Sequence, residues 1–437
     1  MIKTIFNTFW KKVLVFILTL ICLWGILYIS TFIPNDTIKE NYISSVYNYS
    51  GKEPFEFKDG VRRMSGITDN YADTIWLNIA WNMGVGNRAE STILTNYYND
   101  PENGEAAGLY YTVEEGKKVN TDYTRYWHGT AAVIRFMHLF TNVNGIKIMG
   151  LLTVLLLSFL SVIILLKRKH IIPAVFLILS LVSVHIWNIG LSLEYQPSFI
   201  IAFILIPAYL ISERKGDENL IVLSIIGGCM VSFFDFLTTE TVTILLPLSL
   251  VFTIRSKEKR LGSLKENTVL VLKCLISWVI SYVMTFIIKW ILVDLVSNGT
   301  TVDSSFESAA VHMLGGGVEH VNSLNRPSHI FSSLLANFSV IFGGVKRVEP
   351  AYAFLGFALV VICTVYVVLN TKNSYDKTGA PIIILSIGLI VLLRFFVLNN
   401  HSYVHEFFVY RALITTVFSM MSSLWITKGI KTKRRRR

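Results

Sequence analysis

Apolar residues along this chain gather into long unbroken runs, and the polar residues fall mostly in the short connections between them. Runs at 13–33, 146–166, 171–190, 197–211, 220–235, 241–254, 268–293, 351–369, 380–398 and 407–427 are almost free of charge. About 20 apolar residues at 1.5 Å rise cross a hydrocarbon core as a helix. The runs do not alternate between apolar and polar, as barrel strands must, and backbone groups in lipid have to pair within their own segment. The pattern therefore predicts an all-α polytopic membrane protein of about ten transmembrane helices.

Two connections are much longer than a turn, at 34–145 and 294–350, and they divide the chain. Residues 1–33 form an N-terminal anchor helix, 34–145 a first extracytoplasmic loop, and 146–293 helices two to seven. Residues 294–350 form a second extracytoplasmic loop, and 351–437 helices eight to ten with a basic tail. In the first loop, 69–83 and 126–142 carry helical periodicity without the length to span, which predicts amphipathic helices lying at the interface. The second loop holds "MLGGGVEHVNSLNRPSH", whose glycines and Pro327 predict irregular backbone, followed by an apolar stretch at 330–345.

Composition settles the solvent and charge settles the orientation. Of 437 residues, 53% are hydrophobic and 16% charged, a balance that fits lipid rather than water. The net charge of +11 is spread over "KK" at 11, "KRK" at 167, "RK" at 214, "RSKEKR" at 255, "TK" at 371 and the tail "KTKRRRR". The short connections 191–196, 236–240 and 399–406 hold no Lys or Arg. Cationic loops stay on the cytoplasmic side, so both termini are predicted inside, in a multi-pass protein of a bacterial plasma membrane. Scattered in this way, the charge suits anionic membrane lipids and excludes a nucleic-acid footprint. All four cysteines lie in predicted spans, which supports neither disulfides nor a cysteine metal site. There is no P-loop, dinucleotide fingerprint or G-x-S-x-G elbow, which argues against a nucleotide-driven pump and a serine hydrolase.

Candidate chemistry collects at the predicted outer face. In "DNYADTIWLNIAW" Asp69 and Asp73 stand four apart on one helical face. Two acids there either complement the dipole of a helix N-terminus or supply a general base. In "TRYWHGTAAVIRFMHLF" His128 and Arg135 are seven apart, roughly 20° around a helix axis, with His138 about 60° further on. Arg135 there either snorkels to lipid phosphates or cradles a substrate phosphate. Glu194 in "SLEYQP", and Asp235 and Glu240 in "FFDFLTTET", are acids at the membrane boundary. They either mark a substrate site or pair with Arg394 or Arg411 to hold helices together. "HSYVHEFFVYR" brings His401, His405 and Arg411 to the mouth of the last span, but it lacks the glutamate of a zinc-protease helix, so no metal is assigned and no cofactor is expected.

With one anchor, a first outer loop holding two interfacial helices, acids opening the first of these, and a second long outer loop, the layout resembles the GT-C superfamily of membrane glycosyltransferases. That resemblance implies a sugar donor carried on polyprenyl phosphate and an acidic general base in the first outer loop. Asp69 and Asp73 match that position here, with Asp59 in reserve. It further implies a phosphate-binding cation, for which Arg125 or Arg135 would serve, and a cell-envelope polysaccharide or glycolipid as acceptor. "YWHG" and "FFDFLT" also resemble uncharacterised multi-pass proteins of Gram-positive bacteria. Two other readings stay open. One is a transporter or flippase of an envelope lipid; the other is a polysaccharide polymerase or ligase using His312, His320, Arg326 and His329.

Overall fold

The computed structural model describes residues 2–58, 62–297, 326–372 and 377–435. Asp59, His312, His320 and the side chains of Arg326 and His329 lie outside the described residues. About 77% of the chain is helical. The one sheet among the described residues is a two-stranded antiparallel ladder, β1 (Phe55–Phe57) against β2 (Ile67–Asp69), with Phe55 opposite Asp69.

Eight helical stretches among the described residues are long and apolar enough to cross a membrane. They are Phe9–Ser30 in α1 (Ile2–Ser30), α7 (Val143–Lys167), Leu193–Ser212 containing α9 (Pro197–Ser212), α10 (Asp217–Phe234) and α12 (Leu264–Ser297). The rest are Pro350–Thr371, Ala380–Val397 and Glu406–Gly429. The other two predicted spans fold as shorter helices, α8 (Ile171–Ser183) of 13 residues and α11 (Val242–Lys257) of 16. In α8 the helix stops where His185 takes a left-handed backbone at φ 51°, and a 3-10 turn, Ile186–Leu191, follows. Every residue of α11 from Val242 to Arg255 is buried, because this helix packs against α9 and the last two long helices, with no face left for lipid. An apolar sequence without a stripe is what a centrally placed helix requires.

The first long loop is a helical cap, not a pair of helices lying on a surface. It contains α2 (Asn35–Tyr49), α3 (Asn70–Asn82), α4 (Arg88–Leu94), α5 (Gly104–Val113) and α6 (Thr130–Met137). The expected amphipathic helix at 69–83 is α3, but of its residues only Tyr71 is exposed. It forms the centre of a core in which Leu77, Ile79 and Ala80 meet Tyr42, Ile134 and Phe233. The expected helix at 126–142 is only the eight residues of α6.

Arg135 staples this cap to the bundle. It is fully buried, and its guanidinium donates to the carbonyls of Ser30 (3.1 Å), Ala80 (2.7 Å), Trp81 (3.3 Å) and Ile33. These carbonyls lie at the C-terminal ends of α1 and α3, so one cation bridges two helix C-termini. Gly84 makes the approach feasible, since a Cβ there would lie 2.4 Å from Arg135 Nη2.

Candidate functional site

The two acids of "DNYAD" have separate fates because they leave the helix at different depths. Asp73 is fully buried inside α3, where its Oδ2 lies 2.6 Å from Lys147 Nζ and accepts the Tyr49 hydroxyl at 3.0 Å. Its Oδ1 accepts the Leu193 N–H at 2.7 Å. Every strong acceptor direction is thus taken, and Asp73 ties α2, α3, α7 and the turn before α9 together. With its charge matched by Lys147, it is held as a structural tie.

Asp69 ends β2 and caps α3, accepting the Ala72 N–H at 2.8 Å, while its own N–H donates to Ser192 Oγ at 2.7 Å. Capping uses one carboxyl oxygen, and the carboxyl is in hydrogen-bonding contact with that of Glu194. Glu194 is buried, and its Oε1 has no hydrogen-bond partner. Two carboxyls close together away from water resist being ionised at once. Burial pushes Asp69 up to about 6, while its hydrogen bonds to Glu194 and the Ala72 N–H pull the other way. Asp235 acts on the pair from nearby, but it is itself held by Ser198 Oγ (2.7 Å), the Thr238 N–H (2.8 Å) and the Thr238 hydroxyl.

Arg411 packs on Tyr195. The Tyr195 hydroxyl donates to the Ile67 carbonyl at 3.0 Å, and its ring lies 4.7 Å from the Arg411 guanidinium. Asp69, Glu194 and Arg411 are all within electrostatic range of Tyr195. Arg411 is fully buried; Nη2 donates to the Ser65 carbonyl at 3.3 Å, and Nε and Nη1 have no hydrogen-bond partner. The guanidinium also lies over the Tyr410 ring at 5.1 Å, so much of its surroundings is aromatic. His185 is close by, with Nδ1 3.1 Å from the Tyr410 hydroxyl. Nearby, Glu406 Oε1 is 3.0 Å from Arg347 Nε, an ion pair by distance whose atoms are misaligned for a hydrogen bond.

A cavity of about 330 Å³ is lined by Tyr71, Ile75, Tyr97, Tyr123 and Arg125 among others, while Asp69 and Glu194 do not line it. Tyr123 lies within electrostatic range of Asp69 and Glu194. Arg125 stacks over the rings of Tyr123 (5.2 Å) and Tyr126 (5.9 Å).

The remaining candidates are placed elsewhere. Arg135 spends its donors on carbonyls and has none for a phosphate. His128 does not share its helical face, because it precedes α6 with a left-handed backbone at φ 54°. It packs on Tyr123 and Phe236, and burial drives its imidazole well below the usual range, so it stays neutral. Glu240 is paired with Arg394 at 2.7 Å, the helix-holding alternative weighed for these acids. His405 stacks on Phe408 with its ring 4.7 Å from that of His401, and among the described residues no three metal-ligating side chains converge.

Lys147, Ser192 and Tyr195 had no place in the sequence argument. Only Lys147 carries a signal: a cation at the outer start of a span runs against the charge bias and calls for a buried acid. Fold and site together define a polytopic helical membrane protein with a buried carboxyl pair and a buried arginine packed on Tyr195. Comparison of the chain with protein-family models, with curated proteins and with solved structures finds no match.

Proposed function

We propose that this protein is a membrane glycosyltransferase that moves a sugar from a polyprenyl-phosphate donor to a cell-envelope polysaccharide or glycolipid on the outer side of a bacterial plasma membrane. What supports the reading is a buried acid couple, Asp69 with Glu194, and a buried arginine, Arg411, packed on Tyr195 within electrostatic range of those acids. Asp69 takes the proton of an acceptor hydroxyl as its oxygen bonds to the anomeric carbon of the donor. The bond from that carbon to the phosphate oxygen breaks, and the lipid phosphate leaves with the electron pair, its charge met by Arg411. A donor tethered to lipid holds its phosphate at headgroup depth, where the cap meets the bundle.

Counting α8 and α11 as crossings gives ten spans with both termini inside, an arrangement that leaves the acid pair on the outer face. Nothing favours a transporter among the charged residues within spans: Lys289 donates to the Thr92 and Ile93 carbonyls, and Arg394 is paired with Glu240. The test is envelope glycan analysis of cells carrying Asp69→Asn or Arg411→Lys in place of the wild type. Loss of one glycan decoration at unchanged protein level is expected for both. An unaltered glycan profile with Asp69→Asn removes the proposed base and with it the reading.

A further inference from the structure

The 330 Å³ cavity has a lining on which the proposed transfer does not draw. Tyr71, the one exposed residue of α3, is 42% exposed and offers a ring face to the opening. Tyr97 is fixed by backbone hydrogen bonds to Thr121 (3.0 and 3.1 Å), and its ring stands 6.1 Å from that of Tyr123 at 45°. Asp122 is oriented by the Asn96 amide at 2.7 Å, and Arg125 is held over Tyr123. The result is a rigid panel of three tyrosines with one cation, one anion and hydroxyls at its edge. Aromatic faces accept the C–H face of a pyranose, and fixed polar groups at the rim read its hydroxyls. Arg125 and Asp122 offset each other, and the carboxyls within electrostatic range of Tyr123 repel a further anion, so an uncharged ligand is favoured.

We propose that this 330 Å³ cleft binds a neutral saccharide, the acceptor end of the transfer. Its assignment to the acceptor rests on the transferase reading; the saccharide site itself does not. The experiment is saturation-transfer NMR on the full-length protein in lipid nanodiscs, with maltotetraose and chitotetraose as neutral probes and tetragalacturonate as the charged one. Signal is expected from at least one neutral probe, weakened about fivefold by Tyr71→Ala through loss of one ring contact and preserved by Tyr71→Phe. Tyr71 is exposed, so neither change threatens folding. Equal signal from wild type and Tyr71→Ala, no signal from either neutral probe, or signal from tetragalacturonate alone overturns the proposal. The two readings fail separately. If Asp69→Asn leaves the glycan intact while Tyr71→Ala abolishes binding, the transferase falls and the saccharide cleft stands; if Asp69→Asn is inactive and no neutral probe binds, the cleft falls alone.

Discussion

Replacing Asp73 by Asn separates a structural acid from a chemical one. The amide keeps an acceptor for the Leu193 N–H, held at 2.7 Å in the wild type, but it turns an NH₂ or a neutral oxygen toward Lys147. Lys147 is only 7% exposed and then carries an ammonium with no counter-charge. Breaking one side of a buried ion pair costs about 3–5 kcal/mol, most of it the stranded charge. Total stabilities are commonly about 5–15 kcal/mol, so the single variant should melt well below the wild type and accumulate poorly. Removing the stranded charge as well, in Asp73→Asn/Lys147→Met, should restore most of the loss. The assay is thermal unfolding of purified protein in nanodiscs, run as a double-mutant cycle with Lys147→Met. Asp69→Asn serves as the contrast: it retains a capping oxygen for the Ala72 N–H, so it should fold while losing activity. Equal melting temperatures for Asp73→Asn and wild type, or a double variant no better than the single, would refute the argument that Asp73 is a structural tie.

Activity should rise with pH along a limb centred at about 6, where Asp69 loses its proton, and a pH profile of transfer checks this. Stability runs the other way: a carboxyl raised above its unfolded value of about 3.9 favours the folded state fully below that value and loses the contribution as pH passes about 6. Arg135→Met should strand the Ala80 carbonyl at about 1–3 kcal/mol and loosen the bridge between α1 and α3, and protease sensitivity of the cap will show whether it opens. Gly129→Ala should be as damaging, because the new Cβ would sit 2.3 Å from the Phe233 ring and 2.8 Å from its carbonyl; normal expression of this variant would contradict the packing.

Helix positions were readable because lipid imposes one rule on the sequence: every crossing must be apolar and internally hydrogen-bonded. That rule cannot distinguish a helix facing lipid from one wrapped in protein, which is why the sequence does not reveal that α11 is buried on all sides. The site was half legible. Asp69, Glu194 and Arg411 stood out as charges at a membrane boundary, but they lie 125 and 217 residues apart along the chain, and no periodicity relates them. The misreading of Arg135 and His128 has a local cause: a seven-residue spacing defines a face only if the helix runs through both, and a left-handed residue at 128 ends that condition.

Sequence alone determined that the chain is helical, apolar and divided into spans and long loops, because these follow from the free energy of each segment in its own solvent. Which acid is bound by Lys147, which is paired with Glu194, and which arginine packs on Tyr195 were decided only in three dimensions. Charge pairing in a buried site depends on distances between segments, and those are set by packing of the cap on the bundle rather than by the order of residues.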